Sequence, residues 1–123
     1  MIFLTLIVLN FCHWLGDYTH LSTAWMLSAK RMGKPFLPIL MHAGVHTLLF
    51  FTAIFILHGS EAALIAALIQ LPTHFLIDVW KGRMNGWFPK LQDISNKFHW
   101  WIFGIDQMLH HLVIILTTYL ICQ

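Results

Sequence analysis

Charge is the scarcest commodity in this sequence. Only 10% of the 123 residues are Asp, Glu, Lys or Arg, while hydrophobic residues reach 59%; an average soluble domain is about a quarter charged. A chain so poor in charge reads as a membrane protein. The formal net charge of +2 is too small to attract nucleic acid, so none is expected as a partner. Cysteine is nearly absent: Cys12 and Cys122 stand far apart in or beside apolar segments. That excludes a disulfide framework and a thiolate metal site, and leaves two packing residues. No basic stretch precedes the first apolar run and no small-residue cleavage site follows it, so this segment reads as a retained span, not a signal peptide. Among the charged residues acids are the rarer, five against seven cations. Glu61 and Asp93 fall in predicted connections, and the other three sit inside apolar runs.

What is present is a series of apolar stretches, each near the ~20 residues needed to cross a bilayer. They predict an all-α, four-helix transmembrane bundle forming one integral membrane domain over residues 1–123. The spans are expected at about 1–21, with a helical extension to Lys30, and at 36–57, 61–80 and 100–121. Gly33 and Pro35 mark the first connection, and Pro38 is tolerable in the first turn of the second span. Ser60 is a candidate N-cap for a helix beginning at Glu61. Pro72 should kink the third span just before His74. Gly82, Gly86 and Pro89 suggest a loop over 81–97, with a short interfacial helix around 91–98. All seven cations, Lys30, Arg31, Lys34, Lys81, Arg83, Lys90 and Lys97, lie in the first and third connections. The positive-inside rule then makes those connections cytoplasmic and places both termini outside. Trp25, Trp80, Trp87, Trp100 and Trp101 flank the same connections, where indoles favour the headgroup layer.

The three intramembrane acids are each paired with a histidine at helical spacing: His13 with Asp17, His74 with Asp78, and Asp106 with His110. His42 and His46 form a fourth pair. Residues four apart lie on one helix face with Cβ atoms about 5 to 6 Å apart, so each pair can touch one ion or itself. Ionisable groups cost about 2.5 kcal/mol or more at the membrane centre and need partners there. The strongest partner for this donor set is a divalent metal, zinc first, iron or manganese next, as one or two ions. The candidate ligands are His13, Asp17, His42, His46, His74, Asp78, Asp106 and His110. For all four pairs to share one depth, residues 22–30 must project beyond the membrane. Asp17 and Asp106 could also serve as bases or orient a ligating histidine. Lys81 and Arg83 follow the His74/Asp78 pair, so beyond setting topology they could hold a phosphate. The plainer alternatives are a dry His–Asp network that fixes helix register, a bis-histidine haem site and a proton or ion conduit. Gln70 reads as a packing contact and Gln107 as either a support or a packing residue. His20, His58, His99 and His111 read as ordinary interfacial or outward histidines, and Gly16, Ala43 and Gly44 as points of close helix approach.

Several segments carry a family likeness: His13-Trp14-Leu15-Gly16-Asp17, Trp25-Met26, Lys30, His42, Thr73-His74-Phe75-Leu76-Ile77-Asp78, Lys81-Gly82-Arg83 and Asp106-Gln107-Met108-Leu109-His110. Through them the chain resembles the small bacterial and phage membrane proteins of the domain of unknown function 3307 family. The resemblance covers nearly the whole chain and implies a polytopic protein of the bacterial inner membrane; it supplies no activity. More distantly, the His/Asp pattern is similar to that of small membrane-bound metal-dependent hydrolases. The expectation is a metal-dependent hydrolase at the cytoplasmic face, acting on a phosphoester or lipid-linked substrate, with membrane lipids as surroundings and an oligomer compatible with the pattern. The alternative is a non-enzymatic membrane module: a conduit, a haem carrier or a structural subunit.

Overall fold

Apolar runs interrupted by short polar clusters, Gly and Pro produce five helices. A computed structural model describes all 123 residues: α1 (Ile2–Tyr18), α2 (Ala24–Met32), α3 (Phe36–His58), α4 (Ser60–Trp87) and α5 (Lys97–Ile121), with a 3-10 turn, Pro89–Gln92, ahead of α5. The helix α1 packs on α3 and α5, and α4 on α3 and α5, closing a four-helix ring; α2 lies against α3 and α4. Helices α3, α4 and α5 are long and apolar enough to cross a membrane. With 17 residues, α1 is shorter. At 1.5 Å per residue it reaches about 26 Å, under the ~30 Å of a hydrocarbon core.

The connections explain the ring. Gly59 alone separates α3 from α4, at φ 88°, a conformation that costs glycine little. It takes the cap position expected for Ser60, which instead begins α4 with no side-chain cap. The helix then runs unbroken through Pro72 to Trp87, so the loop expected from residue 81 begins only after 87. Gly82 and Gly86 do not break α4. A Cβ at Gly82 would overlap the Gly33 backbone and the Lys30 carbonyl, so this glycine lets α2 and α4 meet backbone to backbone. The short loop before α5 is tied by Asp93, whose carboxylate accepts from the Ser95 hydroxyl at 2.7 Å and the Ser95 amide at 2.9 Å. Those bonds hold its carboxyl below the usual range.

A larger correction concerns residues 19–30. The expected helical extension is a separate helix that folds back instead of projecting. Thr19 leaves α1 in an extended conformation (φ −119°, ψ −175°), and the Thr23 hydroxyl caps α2, accepting from the Met26 amide at 3.3 Å. Gly33, at φ 68°, ends α2 in the left-handed region.

The bundle is apolar outside and largely polar within. Of 29 buried residues 13 are polar or charged and 12 hydrophobic, whereas Phe3, Ile56 and Leu68 are each more than 70% exposed. A lipid-facing exterior has this distribution. The buried stripe of α4 (Ala63, Ala66, Gln70, His74, Asp78, Gly82, Asn85) passes from small apolar residues at one end to polar ones at the other. Leu9, Cys12, Phe50, Ile54 and Ile114 join its apolar end to form the hydrophobic core.

Candidate metal centre

Helical spacing puts two polar residues from each ring helix on one inward face: His13 and Asp17 on α1, His42 and His46 on α3, His74 and Asp78 on α4, Asp106 and His110 on α5. The five imidazoles touch. Ring centroids lie 3.8 Å apart for His46 and His74, 4.3 Å for His74 and His110, 4.8 Å for His42 and His46, and 5.0 Å for His13 and His110. Gly16 makes this approach feasible, because a Cβ there would overlap the His46 ring. These ring contacts fill the space between the facing helices.

Two carboxylates organise the group. Asp17 Oδ1 accepts from His42 Nε2 at 3.0 Å, His46 Nε2 at 3.1 Å and Lys30 Nζ at 3.3 Å, while its Oδ2 faces His13 Nε2 at 3.4 Å. Asp78 Oδ2 lies 3.3 Å from His74 Nε2, 3.5 Å from Lys30 Nζ and 3.6 Å from His42 Nε2, and its Oδ1 is 3.7 Å from His110 Nε2. The Lys30 ammonium also meets His42 Nε2 at 3.0 Å. One ring nitrogen cannot serve both neighbours in the same way. It donates to Asp17 in one tautomer and accepts from Lys30 in the other.

The donor atoms fall into two groups spaced for a metal, Asp17 with His42, His46 and His74, and His74 with Asp78 and His110; within each, they lie within 4.8 Å of one another. Ligands about 2.1 Å from a tetrahedral metal stand roughly 3.4 Å apart, close to the 3.3 and 3.7 Å that separate Asp78 from His74 and His110. The second group has a further property. His74 Nε2, Asp78 Oδ2 and His110 Nε2 are buried and have no hydrogen-bond partner. Their neighbours hold the opposite ring edges: His110 Nδ1 donates to the Asp106 carbonyl at 2.8 Å, and His74 Nδ1 meets the Gln70 amide at 3.1 Å. His110 is held as ligating histidines are, its far ring N–H donating and its near nitrogen left with a lone pair, whereas His74 takes that tautomer only with the Gln70 amide turned so that its oxygen accepts from Nδ1. The Asp17 group has the reverse pattern: His42 and His46 spend Nε2 on Asp17, and their Nδ1 atoms have no partner. The residues of either group could hold a metal ion, and His110 brings to the second the free lone pair that a ligand needs.

His13 and Asp106 belong to neither group. His13 Nε2 donates to Gln107 Oε1 at 3.3 Å, and Gln107 Nε2 donates to Asp106 Oδ2 at 3.0 Å, so Gln107 bridges α5 to α1. A cleft of about 340 Å³ opens beside the cluster, lined in part by Asp17, Lys30, Asp106 and Gln107, with Arg31 and Lys81 facing them. Arg83 does not line it; its guanidinium lies over the Phe36 ring, 5.6 Å from the centroid. His58 pairs with the Thr5 hydroxyl at 2.8 Å, and His99 and His111 donate to the carbonyls of Leu91 and Gln107.

Residues 2–123 match the family described as protein of unknown function (DUF3307). The chain belongs to that family. No curated protein and no solved structure matches it. Within this family member, sequence reasoning took Lys30 for a topology signal and Gln70 for a packing contact. The signal for Lys30 was the Thr19–Thr23 polar cluster, which marks a helix end and a new N-cap and brings the next cation back toward Asp17. For Gln70 it was the i, i+4 step to His74.

Proposed function

We propose that this chain is a membrane-embedded metal-dependent hydrolase working at the cytoplasmic face. The observation that carries the reading is the convergence of three buried donor atoms without a hydrogen bond, from His74, Asp78 and His110, next to a cleft lined by Lys30, Arg31 and Lys81 together with Asp17 and Asp106. A divalent metal held there would supply Lewis acidity and make a water nucleophilic near neutral pH. Asp17 lines the cleft and is braced by His42 and His46; it would accept the proton from the attacking water. Gln70 and the Asp106 carbonyl orient the ligating rings. Lys81 meets anionic oxygens of the substrate, and Asp106 lines the same cleft.

One observation favours a second reading, a structural polar core without metal. Lys30 lies between Asp17 and Asp78 at 3.3 and 3.5 Å and compensates both carboxylates in part. Elemental analysis of protein purified in mild detergent without chelator separates the two. The hydrolase reading expects about one or two divalent ions per chain and chelator-sensitive release of phosphate from a phosphoester; a metal-free chain supports the structural core.

The distribution of the seven cations supports an orientation with the cleft at the cytoplasmic face of the inner membrane and both termini outside. A cysteine replacing Ser95 should react with an impermeant maleimide only after cells are opened. Labelling of intact cells would reverse the orientation.

A further inference from the structure

Arg31 and Lys81 are the cations of the cleft that no carboxylate reaches within ion-pair distance, although Asp106 lines the same cleft. Every ion pair in the molecule belongs to the His/Asp/Lys30 cluster, and neither residue takes part in one. Lys81 lies 5.8 Å from the Phe103 ring centroid. Arg31 is held by a small circuit: its Nε donates to Gln92 Oε1 at 3.1 Å, Gln92 Nε2 to the Asn85 carbonyl at 3.3 Å, and Asn85 Nδ2 to the Arg31 carbonyl at 3.0 Å. The circuit uses one of the five guanidinium donors and leaves the terminal edge free, the edge that grips phosphate oxygens in pairs.

The charges specify the ligand. Asp17, Asp78 and Asp106 against Lys30 leave two negative charges in the core, which one divalent ion cancels. Arg31 and Lys81 then remain for a ligand carrying about two negative charges, the charge of a phosphomonoester near pH 7. The cleft also has apolar lining: Tyr18 and Leu27, about half exposed, and Phe103. It lies between α2 and α5, at the tryptophan-flanked end of the bundle, where lipid headgroups lie. A cavity of about 340 Å³ is at the lower end of the range for ligand pockets and suits a headgroup while its acyl chains stay in the bilayer.

We propose that the cleft binds the phosphomonoester headgroup of a membrane lipid, with Arg31 and Lys81 on its oxygens. The charge balance rests on the metal reading above; the two-cation grip does not. The test is native mass spectrometry of the full chain, as purified and metal-analysed, titrated with phosphatidic acid, phosphatidylcholine or water-soluble glycerol phosphate. Phosphatidic acid should bind at least tenfold better than either of the others. Arg31→Gln and Lys81→Gln should each weaken it about tenfold or more, as for a lost charge-assisted contact, while Arg83→Gln leaves it unchanged. Wild-type metal content in the two variants certifies that they fold; if the wild type holds no metal, their thermal midpoints do so. Binding unaffected by both substitutions overturns the proposal, as does glycerol phosphate binding as well as the lipid. A metal-free wild type that still binds phosphatidic acid through Arg31 and Lys81 sinks the metal reading and supports this one. A metal-loaded wild type that ignores the lipid does the opposite.

Discussion

The same four helices meet by opposite rules at the two ends of the bundle. Toward the α3–α4 turn the contacts are Leu9, Cys12, Phe50, Ile54, Ala63, Ala66 and Ile114. Toward α2 they are histidines, aspartates and one lysine. The exterior is apolar all round, so transfer from water cannot explain either interface. In lipid an apolar interface gains only packing over the surrounding chains. A polar interface gains electrostatics, provided every charge finds a partner. The apolar half thus tolerates loss of one contact better than the polar half, where a single deletion strands its neighbours.

Asp78→Ala should produce the largest effect. It removes one of two carboxylates beside Lys30 and the carboxylate shared by His74 and His110. Breaking a buried pair from one side costs about 3 to 5 kcal/mol, and bound metal should be lost as well. Thermal unfolding in detergent with elemental analysis reads both; a stability loss at constant metal content would make the polar half a packing device.

Phe50→Ala is the matched change in the apolar half. It leaves a cavity but little transfer penalty, for a loss on the order of 2 kcal/mol, and metal content should not move. If metal falls too, the halves are not independent.

His58→Ala is the smallest. Its side chain reaches only the polar corner at the far end, where it meets the Thr5 hydroxyl at 2.8 Å. Loss of that bond is worth about 0.5 to 1.5 kcal/mol, with no change in metal. A drop as deep as that of Asp78→Ala would extend the polar rule along the whole core.

How much of this was legible in the sequence follows from the range of each interaction. The four pairs could be read because a four-residue step is a property of one helix, and the α4 stripe from Ala63 to Asn85 is built from steps of three and four residues. Lys30 could not. Its place beside Asp17 depends on a chain reversal at 19–23 and on the contact of Gly33 with Gly82, facts of tertiary structure. The end of α4 was missed for the same reason, since glycine inside a helix reads as a breaker until a second backbone lies against it. Arg83, adjacent to the cluster along the chain, faces another side because two residues along a helix turn a side chain by about 200°.

The Gly33–Gly82 contact has a kinetic and selective side. It pins the end of α2, so the Lys30 ammonium is not a solute that can be diluted away but a tethered rival, present at an effective concentration in the millimolar range or above. An ion entering beside Asp78 would compete with it for that carboxylate, while Asp17 still holds the ammonium. Weakly held, strongly hydrated ions such as magnesium would lose that contest at ordinary concentrations, whereas ions that bond strongly to imidazole would win it. Ion choice in this protein would then depend as much on a glycine pair at the membrane surface as on the histidines themselves.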